Sequence, residues 1–335
     1  MTTANDTGNV EQVDKALLLA ALHNIDNTPH FLAGPIATAA AQAAQNLRIV
    51  LVSPLFDANS ADYQSHRPTA LGTKRFRDVQ NVLTYVYVQA TKVAQEMDKI
   101  LMDVDVLLKG EDEHLQESAT ADAQVVYKVH DFEPKLTICS TAKDVWLSPS
   151  EDPSARNEPS NTPDIAVPVP TFYPVTALGG TFDHLHAGHK ILLSMACWIT
   201  AQKLIVGMTG NLLQKKVNKD VIQSLPERID CTRRFLELFK PGLAYDLVPL
   251  KDVAGPTGWD PNVQALVVSR ETLNGAATIE QIRKDKGLSP LRTFVIDVIS
   301  HSDAKLDVED AETLRKIKMS STFIRKWIVQ QRSKP

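Results

Sequence analysis

Cysteine is scarce in this 335-residue chain, which carries only Cys139, Cys197 and Cys231. Three widely spaced thiols make neither a disulfide framework nor a zinc pattern, and Cys197 lies in the apolar run ILLSMACWI, which reads as core. Long hydrophobic runs are missing too: none approaches the roughly 20 residues that span a bilayer. The N-terminal stretch MTTANDTGNVEQVDKALLLAALHNI has no basic segment ahead of its short apolar part, so no signal peptide is expected. Positive charge is in short supply. Lys and Arg total 36 against 40 Asp and Glu, a formal charge of -4, which leaves no basic excess to hold a polynucleotide backbone. Neither nucleic acid nor membrane is therefore expected as a partner. The expected setting is a reducing compartment, the cytoplasm, with the nucleus also open. Two phosphate-loop signatures are absent as well. No G-x-x-x-x-G-K-[ST] occurs, since LGTK at 71–74 lacks the upstream glycine and the following hydroxyl, and no G-x-G-x-x-G occurs. Any anion site must be local and of another design.

What is present is an ordinary globular composition, 43% hydrophobic and 23% charged, at a length that suggests two domains. The clearest boundary runs from Ser148 to Thr171, with prolines at 149, 153, 159, 163, 168 and 170. Such a stretch buries little and cannot continue a helix, so 148–171 reads as a Pro/Ser-rich linker between an N-terminal α/β extension (1–147) and a C-terminal domain (172–335). No internal repeat is visible. In the C-terminal part, apolar runs at 174–180, 203–210, 244–250, 264–270 and 292–300 alternate with helical patterns. Pro226 suits a helix start and Gly242 a helix stop. This alternation predicts a Rossmann-like parallel sheet with helices on both faces, and ligands beyond the carboxyl ends of its strands. The N-terminal part offers an Ala-rich helix (AGPIATAAAQAAQNL) and strands at 48–56, 104–110 and 124–130. The segment NVLTYVYVQATKVAQEMDKIL mixes helix and strand cues. None of it carries recognisable chemistry.

Two motifs do. The first, LGGTFDHLHAGHK (178–190), follows a predicted strand and enters a predicted helix. Gly179 and Gly180 are expected to turn the backbone sharply and let it approach a ligand. Thr181 can offer a hydroxyl to a phosphate oxygen, and Asp183 is expected to anchor the turn. His186 and His189, three apart, should share one face of the first helical turn, where free amides and the helix dipole favour an anion. Gly188 between them would leave room for a base or ribose. A His pair can also ligate zinc, but no third ligand has recognisable spacing, so no protein-held metal is expected. The second motif, KIKMSSTFIRKW (316–327), places Ser320, Ser321 and Thr322 at the start of an amphipathic helix, flanked by Lys318 and Arg325. Alone it would read as an ordinary N-cap. With the first motif, its hydroxyls and cations suit the outer phosphates of a nucleotide.

Together the two motifs resemble the HxGH nucleotidyltransferase superfamily. Within it, GGTFDHLHAGHK, VGMTGNLLQKK, YDLVPLKD, LVVSRETLNG and KMSSTFIR resemble the eukaryotic-type phosphopantetheine adenylyltransferases, whose members include monofunctional fungal enzymes. The resemblance covers about residues 172–331. It implies transfer of AMP from ATP to 4'-phosphopantetheine, giving dephospho-CoA and pyrophosphate in coenzyme A biosynthesis, with Mg2+ on the ATP phosphates. By the same resemblance, Thr181 orients the attacking phosphate, and Gly180, the Phe182 backbone and Gly188 contact ATP. His189, assisted by His186, stabilises the α-phosphate. Ser320, Ser321 and Thr322, with Lys318 and Arg325, hold the β- and γ-phosphates. Lys215 or Lys216 grips the 4'-phosphate, Arg270 stands where bacterial members use phosphate-binding arginines, and Ser269, Glu271 and Thr272 stand near the adenine or ribose. Other enzymes of coenzyme A synthesis are conceivable partners. The alternatives are another HxGH enzyme, either a nicotinamide mononucleotide adenylyltransferase or a cytidylyltransferase, and a non-catalytic scaffold. Oligomeric state is left open.

Overall fold

The computed structural model describes residues 12–59, 72–111, 113, 115–120, 122–130, 142–151, 170–210, 217–296 and 320–334. The first sheet is built from β1 (Val13–Ala21), β2 (Ala43–Val52), β3 (Asp103–Lys109), β4 (Val125–Val129) and β5 (Lys143–Leu147). Helices α1 (Ala33–Gln42), α2 (Phe76–Glu96) and the single turn α3 (Glu117–Thr120) connect them. The second sheet takes β6 (Tyr173–Gly180), β7 (Thr200–Thr209), β8 (Ala244–Leu250), β9 (Ala265–Ser269) and β10 (Arg292–Ile296). Around it run α4 (Ala187–Ile199), α5 (Leu225–Phe239), α6 (Leu273–Asp285) and α7 (Ser321–Arg332).

Both sheets are wholly parallel, with orders β3-β2-β1-β4-β5 and β10-β9-β6-β7-β8. Counted within each sheet, the order is the same doubly wound one. Strands leave the first strand in both directions, so right-handed crossovers put helices on both faces. The strands read as continuous apolar runs (LLLA, IVLV, VLL) because parallel strands are covered on both sides. The segment with mixed cues, 81–101, is helical over most of its length. Its residues Val82 to Val88 are all buried, and a β-branched helix is tolerated where packing decides. β5 carries Lys143 and Asp144 at a sheet edge and so lacks the apolar run that marked the others. The predicted strand at 292–300 is present to Ile296, and its remainder lies outside the described residues.

One hydrophobic core runs through both sheets. Phe56 meets Trp198 edge-on at 5.8 Å, and Phe76 packs on Phe294 at 5.1 Å. The Trp198 indole donates to the Gly72 carbonyl at 2.8 Å, and Lys109 Nζ to the Phe239 carbonyl at 3.2 Å. Residues at the two ends of the proline-rich stretch are docked as well: Ser150 Oγ accepts from Gly34 N at 2.8 Å, and the Thr171 carbonyl accepts from Thr73 N at 2.9 Å.

In the second sheet, β6 is flanked by β7 on one side and β9 on the other, and the chain leaves it in both directions. The crevice at this reversal, beyond the carboxyl ends of β6 and β9, is where such sheets bind ligands. Both ends carry sequence-marked residues.

Candidate active site

β6 runs through Gly180, so Gly179 and Gly180 are strand residues and do not supply the turn expected of them. Two larger residues make it: Phe182 has φ 48° and His184 φ 45°. Gly180 is needed for a different reason, since a Cβ there would lie 2.9 Å from the Phe182 ring. A bulky residue held at positive φ costs on the order of 1–3 kcal/mol and persists only where its surroundings fix it. They do so here through the main chain. Arg228 of α5, almost fully buried, donates to the carbonyls of Thr181 at 2.6 Å, Thr209 at 2.9 Å and Gln223 at 3.1 Å. Gln223 N donates to Asp183 Oδ1 at 2.9 Å, while its side-chain oxygen accepts from His184 N at 2.8 Å. The His184 ring stands 2.8 Å from the Val221 carbonyl.

The loop delivers His186 as the N-cap of α4 and His189 into its first turn. Their rings stack with centroids 3.9 Å apart and planes 26° from parallel, and Phe182 abuts His189 at 5.3 Å. The Nδ1 atoms of both histidines are buried with no hydrogen-bond partner among the described residues. Burial, assisted by Lys190 and His184, lowers His186 to about 4 despite the opposing pull of Asp183. Burial and its neighbour His186 hold His189 well below the ordinary imidazole value. Both rings are therefore neutral near pH 7, donors and acceptors of hydrogen bonds rather than cations. Gly188 leaves room for the His186 ring: a Cβ there would stand 3.3 Å from His186 Cε1.

The second motif reaches this loop from 142 residues away. Arg325 of α7, 2% exposed, donates to Asp183 Oδ2 at 2.6 Å, to the Val217 carbonyl at 3.0 Å and to Thr322 Oγ1 at 3.1 Å. Asp183 is itself fully buried. Arg325 thus ties the two motifs together. Ser320 is the N-cap of α7 and accepts from Phe323 N at 3.2 Å. In Ser320 and Thr322 the oxygen accepts from the protein, and among the described residues the O–H proton has no acceptor and can be offered to an anion. Ser321 opens the helix beside them.

Across the crevice, Ser269 ends β9 and caps the turn 270–272, exchanging hydrogen bonds with Thr272. Arg270 follows it, exposed. Thr181, Phe182, His186, Gly188, His189, Ser320, Ser321, Thr322 and Arg325 therefore belong to connected elements, and Ser269 and Arg270 to the neighbouring strand end. Lys215, Lys216 and Lys318 lie outside the described residues. Among the described residues no group of three or more His, Cys, Asp or Glu side chains could hold a metal ion. Nor is any helix among them long and apolar enough to cross a membrane.

Residues 177–327 match the cytidylyltransferase-like family. A phosphopantetheine adenylyltransferase of Methanopyrus kandleri is 34% identical over 128 residues, 38% of this chain and 81% of that one. The chain belongs to the phosphopantetheine adenylyltransferase family. The family's Saccharomyces cerevisiae member is 48% identical over 153 residues, 45% of this chain and 48% of its own. An uncharacterized protein of Schizosaccharomyces pombe is 38% identical over 152 residues, covering 45% and 47% respectively. The match thus spans about half the length of these two fungal relatives.

In this adenylyltransferase-family chain, three residues with a hold on the site had no signal in the sequence reading. Gln223 and Arg228 act on the Asp183 carboxylate, the His184 amide and the Thr181 carbonyl of the 181–186 loop, contacts that no local pattern announces. Lys190, next to His189, reads as one more helix lysine. It is 2% exposed and lies against β3 of the first sheet.

Proposed function

We propose that this protein is a pantetheine-phosphate adenylyltransferase, moving AMP from ATP to 4'-phosphopantetheine with release of pyrophosphate. The observation that carries the reading is the Asp183–Arg325 contact, which joins the imidazole pair of one motif to the hydroxyl-led helix of the other. A triphosphate laid across that junction would meet imidazoles at its α-phosphate and alcohols at its outer phosphates.

The chemistry asks little of side chains as bases. The acceptor's 4'-phosphate oxygen is already anionic. It forms a bond to the α-phosphorus in line as the bond from that phosphorus to the β-phosphate oxygen breaks. Catalysis then rests on orientation and on stabilising the charge of the transferring group. Thr181 would orient the acceptor phosphate. Gly180 and the Phe182 backbone would border the ATP phosphates, and His189 with His186 would donate to the α-phosphate. Ser320, Ser321 and Thr322 would hold the outer phosphates. Lys318 is assigned to those phosphates, Lys215 or Lys216 to the 4'-phosphate, Arg270 to a phosphate, and Ser269 to the adenine or ribose. We place Mg2+ on the ATP phosphates rather than on a protein carboxylate. Asp183 does not fit a metal ligand, because one oxygen is engaged by Gln223 N and the other by Arg325.

The names carried by the relatives favour pantetheine phosphate over nicotinamide mononucleotide or a CTP-dependent acceptor. The cytoplasm or nucleus suits a chain whose Cys197 and Cys231 are unpaired thiols. Association with other enzymes of coenzyme A synthesis belongs to the same proposal. The test is a coupled pyrophosphate assay of the full chain with ATP and 4'-phosphopantetheine. It runs in parallel with ATP and nicotinamide mononucleotide, and with CTP and phosphocholine. Activity confined to either of the latter pairs overturns the assignment, and no activity with any pair favours the scaffold. His189→Ala should lower kcat by roughly two to three decades, the usual cost of removing a transition-state charge stabiliser.

A further inference from the structure

The N-terminal half, which carries none of the assigned chemistry, reaches both motif-bearing helices of the second sheet at one corner, residues 97–105, which run from the end of α2 into β3. On one side of that corner stand Asp103 and Asp105. Lys190 of α4 reaches them, donating to Asp105 Oδ1 at 2.7 Å, to the Val104 carbonyl at 2.8 Å and to Asp103 Oδ1. Arg48 Nη2 approaches the other Asp105 oxygen at 3.6 Å. On the other side stands Asp98, at φ 55° just beyond the end of α2. It accepts from the Trp327 indole of α7 at 3.0 Å.

We propose that this corner is a brace, with Lys190 and Trp327 as positioning residues that set α4 and α7 relative to each other and so fix the gap a nucleotide must fill. The inference rests on the adenylyl-transfer reading of that gap. Lys190 follows His189 directly, so its ammonium fixes the rotation of the turn that carries the imidazoles. Trp327 lies on the same helix as Arg325 and the hydroxyl cluster, so its indole fixes where that helix leaves the site. Burial alone would lower Lys190 and raise Asp105. Their mutual attraction reverses both directions, with Asp103 assisting on the lysine and Arg48 on the aspartate. The charged pair is therefore the resident form, and an ion pair so enclosed defines geometry more than it adds stability.

The two arms are separable. Asp105→Asn keeps the shape and removes the charge facing Lys190. We expect kcat to fall by roughly tenfold, as for a sub-ångström misplacement of catalytic groups, with the KM for ATP within about twofold of wild type. Asp98→Gly keeps the left-handed backbone and removes the acceptor of the indole. It should raise the KM for ATP by about fivefold with kcat nearly unchanged, and Asp98→Asn, which retains an acceptor oxygen, should restore it. Hydrogen exchange on the same full-length proteins should show faster exchange in 187–199 for the first variant and in 321–332 for the second. The brace is overturned if both variants keep wild-type kinetic constants. It is equally overturned if exchange rises evenly along the chain while kcat and KM deteriorate together, the mark of general loosening. If wild type itself releases no pyrophosphate with 4'-phosphopantetheine, the functional reading fails, and the exchange pattern alone decides whether the corner holds the two helices.

Discussion

The stacked imidazoles of His186 and His189 make the folded state sensitive to acid in a definite direction. In the unfolded chain each ring takes up a proton near its ordinary value of 6.5, whereas in the folded chain burial keeps His186 neutral down to about 4 and holds His189 well below its ordinary value. Between those limits the unfolded state binds more protons, so stability rises with pH across the interval and is lost as pH falls through it. Each ring should contribute a decline in Tm of up to about 2 °C per pH unit over that range. Carboxylates lose stability in acid as well, so the measurement is a difference: thermal melts of wild type and His189→Phe from pH 7 to pH 4.5. The variant should lose visibly less on acidification. Parallel curves would mean that the pair is solvated and already titrates normally. At this scale the sequence was informative about which residues matter and silent about their state. The spacing of His186 and His189 put both on one turn, but their contact with each other and with Phe182 depends on the positive φ values at Phe182 and His184, where no glycine marks them.

At the scale of elements, the loop 181–186 and helix α7 behave as one assembly joined by the Arg325 fork. A guanidinium can serve Asp183, Val217 and Thr322 from one planar group, and a lysine cannot. Arg325→Lys should keep the charge pair but lose up to two of the three contacts, lowering stability by about 1–3 kcal/mol in urea titration. In the same protein the KM for ATP should rise more than kcat falls, because the hydroxyl cluster, not the imidazole pair, is released. An unchanged KM alongside reduced stability would reduce Arg325 to a structural tie. The strands of the second sheet were legible as apolar runs closed by glycine or charge, and α5 by its start and stop signals. The capping pair Ser224 and Glu227 and the positive φ of Gly242 bear those signals out. What no local pattern marks is held by contacts distant in sequence. Arg228, Gln223 and Lys190 act on carbonyls, amides and carboxylates that are up to 87 residues away in sequence, and burial of a charged residue leaves no periodic trace.

Across the whole molecule, the two sheets share a strand order and a construction detail that no sequence repeat announced. In each, the first helix passes into the second strand without a loop, at Gln42–Ala43 and at Ile199–Thr200. In each, a lysine just past the second helix caps that junction: Lys99 Nζ donates to the carbonyls of Ala40 and Ala43, and Lys240 Nζ to those of Cys197 and Thr200. Side chains diverge freely where a fold asks only for apolar bulk, so a shared topology can persist beneath unlike sequences. The halves are nevertheless not independent, because one apolar core and the buried Lys190 cluster cross between them. Separating them would expose Phe56, Trp198, Phe76 and Phe294 and break the Lys190–Asp105 pair, with the lost apolar burial alone costing several kcal/mol. Calorimetry should therefore show one unfolding transition whose van't Hoff and calorimetric enthalpies agree, shifted as a unit by saturating ATP. Two transitions, with only the second moved by nucleotide, would instead describe a catalytic sheet that tolerates the loss of its neighbour, and the contacts between them would then be incidental to the site.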